Sequence, residues 1–274
     1  MRALLTPKGL IGLILVTVFL AMALLSPIFI PEELTTQINV RARLKPPSLE
    51  HLMGTDQLGR ELVWRVLLGA STSLFIAIAS VGLSILVGLP LGIISGYYGG
   101  WTDNILMRVV DTFLSFPVLL LALTIAAVLG PNLQNTILAI GIAFTPYLAR
   151  IVRGEVLRVS ALPFIEAARS QGATNARIIR LHVLPNILPP VIVQATISIA
   201  FAILAEAGLS FLGLGTQPPT PSWGLMIQAS RDYLDMAPWT ALVPGFAIAL
   251  TVLGLNMLGD VMRDVLDPTT VVER

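Results

Sequence analysis

The sequence predicts an all-α integral membrane protein with six transmembrane helices. The 274-residue chain is 55% hydrophobic and 12% charged, about half the charged fraction of roughly 25% that soluble domains carry. Its mean hydropathy is +0.84. Uncharged runs of 23, 37, 38 and 24 residues follow Lys8, Arg65, Asp111 and Asp235. A helix needs only about 20 apolar residues to cross a hydrocarbon core about 30 Å thick, so each run is long enough.

These uncharged runs also place the individual helices. The 38-residue run contains Gly130-Pro131-Asn132, a turn signal that divides it into most of two spans. Between Leu181 and Ala205 the only titratable residue is His182, so this stretch supplies a further span. The predicted helices cover residues 9–30, 69–95, 106–129, 133–152, 187–210 and 239–260.

The N-terminal stretch allows two interpretations. Arg2, Lys8, the apolar residues after them and Ala21-Met22-Ala23 resemble a cleavable signal peptide. The apolar run continues through Ile30, however, which is longer than a signal-peptide core of about 7–15 residues. We therefore expect a retained first helix.

Orientation follows from the distribution of lysine and arginine. With the N-terminus inside, 11 of the 17 basic residues fall on the inner side, six of them between Arg150 and Arg180. The first outer segment, residues 31–68, opposes this bias with five basic residues. The 150–180 segment decides the balance, and we expect both termini to be cytoplasmic.

The predicted spans divide the chain into two parts. Residues 1–68 hold the N-terminal helix and an outer loop, and residues 69–274 hold a five-helix core with a cytoplasmic segment at 153–186. A second outer loop, 213–238, contains Pro218, Pro219 and Pro221.

Several kinds of chemistry are missing from the sequence. The two lysines, Lys8 and Lys45, do not stand in a Gly-Lys-Ser/Thr phosphate loop. The two histidines, His51 and His182, fall on opposite sides of the membrane, and there is no cysteine, so we expect no metal, no cofactor and no enzymatic site. A net charge of +1 gives no indication of a nucleic-acid partner.

Three carboxylates are predicted within the spans, where such groups are functional candidates. Asp111 follows Arg108 by three residues, and Asp260 precedes Arg263 by three, so each is interpreted as a local ion pair. Glu206 has no charged residue within twenty positions. It lines a polar pathway or gate, or it forms a hydrogen bond to a neighbouring helix.

The cytoplasmic segment predicts a short helix between two breaks. Ser160 is a candidate N-cap, Pro163 suits the first turn, and Gly172 is a natural stop after Phe164–Gln171. Within this helix, the small Ala167 and Ala168 allow a partner to approach closely.

A second helix should follow directly. Thr174 is positioned to cap it, and we expect it to cover Asn175–Leu184 and end before Pro185. Glu166 and Arg169 of the first helix are three residues apart and can pair. From the residues alone, the segment is also compatible with an ordinary interfacial connector.

These residues carry a resemblance to a family. The string EAARSQG at 166–172, followed by HVLP at 182–185, resembles the EAA loop of permease subunits in ATP-binding-cassette (ABC) importers, with His182 at a position where the pattern has Ile. The stretches at 53–61, 96–123 and 206–224 resemble the peptide and nickel branch of that family. The resemblance covers roughly residues 50–268.

The resemblance implies a type I ABC importer permease fold and a C-type permease subunit for dipeptides or oligopeptides in the bacterial cytoplasmic membrane. It implies a second permease, two ATPase subunits that bind ATP and Mg²⁺, and an external substrate-binding protein as partners. The residues that match the ATPase-docking helix, called the coupling helix, are Phe164, Glu166, Ala167, Ala168, Arg169 and Gly172.

Two other functions remain open at this point. A nickel-chelate importer carries the same motifs. A stand-alone channel or secondary transporter would favour paired intramembrane charges or inverted repeats, and neither is evident in the sequence.

Overall fold

The computed structural model describes residues 6–266, and this part of the chain is almost entirely helical. One isolated antiparallel bridge joins Thr55 and Glu61. The eleven α-helices described in this range are α1 Pro7–Phe29, α2 Glu32–Thr36, α3 Leu62–Tyr98, α4 Gly100–Leu114, α5 Val118–Leu129, α6 Leu133–Ser160, α7 Pro163–Ser170, α8 Asn175–Ile178, α9 Leu184–Phe211, α10 Trp223–Ser230 and α11 Trp239–Leu266.

Five helices among the described residues are long and apolar enough to cross a membrane: α1, α3, α6, α11, and α8 joined to α9. A sixth span is obtained when α4 and α5, which are bent by 86° at a short break, are counted as one. The predicted fold class is therefore confirmed. The division at residue 68 stays a prediction.

The span predicted near residues 106–129 is not one continuous helix. The chain breaks at Ser115–Pro117, between α4 and α5. Pro117 has no N–H to donate and disfavours a helical conformation at Phe116. The hydroxyl of Ser115 donates to the carbonyl oxygen of Thr112 at 2.6 Å, so one carbonyl at the end of α4 is satisfied locally.

The predicted start of the second span, residue 69, is also wrong, because α3 begins at Leu62. The prediction takes the charge of Arg65 as a boundary, but Arg65 lies inside the helix and is buried. Its guanidinium donates to the carbonyl oxygen of Thr35 at 3.0 Å and lies 3.4 Å from the Asp56 carboxylate. A paired charge does not end a helix.

The predicted break before Pro185 does not occur. A π-helical turn, Ile179–Val183, joins α8 to α9, and the helix runs without interruption from Asn175 to Phe211. Pro185 falls in the first turn of α9. The wider π turn changes the hydrogen-bonding register where proline has no N–H to offer, so the proline marks a change of helix type.

The packing of α3 against α6 is very close. Gly88, Gly92 and Gly96 of α3 face α6, and a Cβ atom on Gly92 would lie 2.6 Å from the carbonyl oxygen of Ala149 and from the Cβ of Val152. Small residues at this spacing let two helix backbones approach in a membrane, where van der Waals packing stabilises association.

Two ion pairs hold α4 against α6. The Asp103 carboxylate accepts from Nε and Nη2 of Arg153, both at 2.6 Å, and from the hydroxyl of Ser95 on α3. Asp111 pairs with Arg150. The polar side of α4 is therefore fixed to the C-terminal half of α6, and Asp103 also ties α4 to the end of α3.

Both predicted local ion pairs are replaced by pairs between helices. Asp111 pairs with Arg150 of α6 instead of Arg108, and Asp260 of α11 lies 2.6 Å from Nζ of Lys8 of α1 instead of pairing with Arg263. Sequence neighbours were the wrong partners because helices that are distant in sequence bring opposite charges closer.

We expect Gly92→Val to destabilise the protein by about 1–3 kcal/mol, because the new side chain would force α3 away from α6. Gly82→Val in the same helix is the control, since nothing lies within 4 Å of a Cβ at Gly82. Thermal unfolding in detergent measures both. Equal melting temperatures for the two variants would contradict the close contact.

Candidate functional site

The short helix α7 is anchored by one residue. Ile165 is fully buried and belongs to an apolar cluster with Val159 of α6, Ile178 of α8 and Val183 of the π turn. Pro163 occupies the first turn, as predicted. The predicted N-cap Ser160 is wrong, because it is the last residue of α6; the N-cap position is filled by Leu162 in an extended conformation.

The C-terminal end of α7 is closed by a Schellman motif. The N–H of Gly172 donates to the carbonyl oxygen of Arg169 at 2.9 Å, and the N–H of Ala173 donates to that of Ala168 at 3.1 Å. Gly172 has a φ of +80°, which glycine adopts without steric cost. The predicted stop is confirmed, and Thr174 caps α8 as predicted by accepting from the N–H of Arg177.

Most of the surface of α7 is exposed. Glu166 and Ala167 are exposed, and Ala168 is half-buried. On the two flanks, the ring of Phe164 lies 6.2 Å from that of His182, and the guanidinium of Arg169 lies 5.4 Å from the centre of the Tyr97 ring. The structure thus brings together on one helix the five predicted docking residues that precede Gly172.

The predicted pair between Glu166 and Arg169 is absent from the ion pairs of residues 6–266, and Arg169 contacts Tyr97 instead. The Tyr97 hydroxyl also donates to Oδ1 of Asn175 at 3.1 Å. Sequence reasoning missed Tyr97 because it lies some seventy residues before α7 in the chain. Its position at the end of a span, just before Gly99-Gly100, was the only available signal.

Glu206 is the second candidate site. Its side chain is fully buried. The carboxylate accepts from the hydroxyl of Ser210 at 2.7 Å and from that of Ser73 on α3 at 3.2 Å. Ser73 in turn accepts from the backbone N–H of Trp223 at 3.1 Å. Glu206 therefore connects α9 to α3 and, through Ser73, to α10.

The helix α10 was not predicted, because the prolines before it indicated only a loop. It begins after them, with Ser222 accepting from the N–H of Leu225 at 3.2 Å as its N-cap. Trp223 is fully buried, and its Nε1 donates to the carbonyl oxygen of Val66 at 3.0 Å. A Cβ on Gly224 would lie 2.7 Å from Cα of Ala207. Thus α10 packs closely against both α3 and α9.

Comparison with known proteins finds relatives that are named as membrane components of transport systems. Residues 88–272 match the family model described as the binding-protein-dependent transport system inner membrane component. The chain is 46% identical over 260 residues to the dipeptide transport system permease protein of Alkalihalophilus pseudofirmus, which covers 95% of this chain and 85% of that protein. It is 43% identical over 222 residues to the glutathione transport system permease protein of Pectobacterium atrosepticum. That match covers 81% of this chain and 74% of the relative.

A solved structure shares the fold. The chain superposes on an inward-facing conformation of the MetNI methionine ABC transporter with a TM-score of 0.62 at 22% sequence identity, covering 75% of this chain and 98% of that chain.

We expect Glu206→Ala to cost about 1–3 kcal/mol of stability, because it leaves the buried hydroxyls of Ser73 and Ser210 without their acceptor. Glu206→Gln, which keeps an acceptor oxygen, should lose less. Unfolding in detergent measures both variants. Wild-type stability in the alanine variant would show that this network does not hold the helices together.

We expect Gly172→Ala to destabilise the end of α7 by about 1 kcal/mol, because an alanine at this φ is strained. Gly154→Ala in α6, where nothing lies within 4 Å of the new Cβ, is the control. Hydrogen exchange of the amides of Gly172 or its replacement and of Ala173 measures the effect. Equal protection in both variants would contradict the assigned motif.

Proposed function

The chain belongs to the family of binding-protein-dependent transport system inner membrane components, and we propose that it is one of two permease subunits of an ATP-driven importer of dipeptides or oligopeptides. It works in the bacterial cytoplasmic membrane beside membrane lipid. Its partners are a second permease, two ATP-binding-cassette ATPases and an external substrate-binding protein.

One observation carries the assignment of the ATPase contact: α7 is a rigid, exposed helix that is built on the helices of the membrane core. Ile165 is buried against residues of α6, α8 and the π turn, and the Schellman motif closes the far end. Glu166 and Ala167 are exposed. A movement imposed on this surface is therefore carried into α6 and α9 as a rigid-body displacement.

Energy for transport comes from the partners. The sequence has no Gly-Lys-Ser/Thr phosphate loop, so ATP and Mg²⁺ are bound by the ATPase subunits and this chain binds no cofactor of its own. When the two ATPases close on ATP, α7 moves with them and shifts the helix bundle between inward-facing and outward-facing states. On the outer side, Glu206 keeps α10 in place as part of the gate.

Peptides are the substrate class that the relatives favour. Relatives named for dipeptide and for glutathione transport match most of the chain. A nickel-chelate importer is the alternative within the family, since the same motifs serve both. The external binding protein selects the substrate in either case, so the identity of that partner decides between them.

Sidedness follows from the docking helix. Because ATP is in the cytoplasm, α7 faces that side, and both chain termini are cytoplasmic. The excess of arginine between Arg150 and Arg180 agrees with the positive-inside rule.

A pull-down of the tagged chain from its native membrane in mild detergent, followed by mass spectrometry, tests the proposal. We expect a second permease and an ATPase that has a phosphate loop. A chain that is recovered alone and transports substrate by itself would support a channel or secondary transporter instead.

We expect Ala167→Trp to abolish substrate-stimulated ATP hydrolysis in the assembled importer, because a large side chain on the outward face of α7 blocks close approach. Ala167 is exposed in this chain, so the fold should be unchanged. The measurement is ATPase activity in proteoliposomes with the binding protein and substrate.

The matched control is Ala161→Trp, an exposed position in the turn before α7. It should retain at least half of the wild-type stimulation. If both variants hydrolyse ATP like the wild type, α7 does not dock on the ATPase; if both fail, the effect is not specific to the docking face.

A further inference from the structure

Tyr97 links three elements of the cytoplasmic region. It lies in the last turn of α3. Its ring lies 5.4 Å below the guanidinium of Arg169 on α7, and its hydroxyl donates to Asn175 at the start of α8. The half-buried ring also packs on the apolar cluster that contains Ile165. The same side chain therefore contacts α7 and α8, on either side of the Gly172 turn.

Tyr97 also stands next to the junction between α3 and α4. Two residues later the chain turns into α4 through Gly99 and Gly100, which have φ values of +63° and +56°. A Cβ added at either glycine would have no atom within 4 Å apart from its own stretch of chain, so no other element packs against this junction. One turn of helix further on, Asp103 of α4 is bound to Arg153 of α6, so a rotation at the junction also acts on α6.

We propose that Tyr97 is the positioning residue that transmits the movement of α7 to the junction of α3 and α4, and so couples ATP hydrolysis to the opening of the pathway. This inference rests on the proposed function, because it takes α7 to be the ATPase-docking helix. A second connection runs through the covalent link from α6 to α7, and it moves α6 directly. Tyr97 adds the contact by which α3 and α4 follow α7.

The neighbouring residue provides a matched comparison. Tyr98 is 54% exposed, and its ring meets the Tyr97 ring edge-on with centroids 5.4 Å apart. It has the same size and chemistry and stands at the same helix end. A general role of bulky aromatic residues at the end of α3 would involve both tyrosines, whereas a role in coupling involves Tyr97 only.

The test uses the complete importer in proteoliposomes, with its ATPases, second permease and binding protein. The variants are Tyr97→Phe, Tyr97→Leu, Arg169→Gln, the Tyr97→Leu/Arg169→Gln double variant and Tyr98→Leu. Peptide uptake and ATP hydrolysis are measured on the same preparation, and their ratio reports coupling. Co-purification of the ATPases reports assembly.

For Tyr97→Leu we expect assembly and hydrolysis within about twofold of wild type, and a roughly two- to fivefold fall in peptides transported per ATP, the size that loss of one cation–π contact at a partly exposed site supports. Tyr97→Phe keeps the ring and should retain most of the coupling. Arg169→Gln should lower the ratio similarly, and the double variant should be no worse than Tyr97→Leu, because both changes remove the same contact.

Three results would overturn the inference. These are a wild-type ratio in Tyr97→Leu, an equal loss in Tyr98→Leu, and additive losses in a double variant that co-purifies with the ATPases at the wild-type level. If Tyr97→Leu lowers assembly instead, Arg169→Gln decides, because it removes the same contact and leaves the ring in place: a lower ratio in the assembled variant supports the inference, and a wild-type ratio contradicts it. If the wild-type chain does not assemble with an ATPase, the proposed function itself fails, which is a different outcome from normal assembly with unchanged coupling.

Discussion

The close contact between α3 and α6 is the constraint on which the rest of the structure depends. Three glycines of α3 let its backbone lie against α6, and the apolar cluster at the C-terminal end of α6 continues this contact through Val156 and Val159 to Ile165. Because the two helices cannot separate without losing this packing, they form one rigid frame. The short helix α7 is attached to the end of that frame, and α4 is held to its side by Asp103 and Asp111.

A bilayer offers no water to unsatisfied polar groups, so every buried carboxylate must find partners inside the protein. Glu206 meets this requirement with hydroxyls from α3 and its own helix, and Ser73 extends the network to the backbone of α10. The network fixes α10, a helix that carries no charged residue and follows three prolines. In this way one acidic residue without a charged neighbour organises the contact of α3, α9 and α10.

Fold class, the number of spans and the location of the short helix α7 were predictable because they depend on local properties: apolar length, a glycine stop and a threonine cap. What could not be predicted depends on contacts between distant segments. Arg65 continues a helix because Asp56 and Thr35 lie beside it. Asp111 does not pair with the arginine three residues away because Arg150 is closer. Pro185 is accommodated by a π turn, for which the sequence contains no recognised signal.

The helix α7 separates residues that stabilise it from residues that are available to a partner. Eight residues are too few for a helix to be stable in water by itself, where about 12–15 are marginal. Its stability must come from the buried Ile165, Pro163 in the first turn, and the glycine-closed end. Phe164 and Arg169 contact the rest of the chain from the flanks. Glu166 and Ala167 are left exposed and take no part in this support, so a change at either position alters the surface of α7 without removing the contacts that hold the helix.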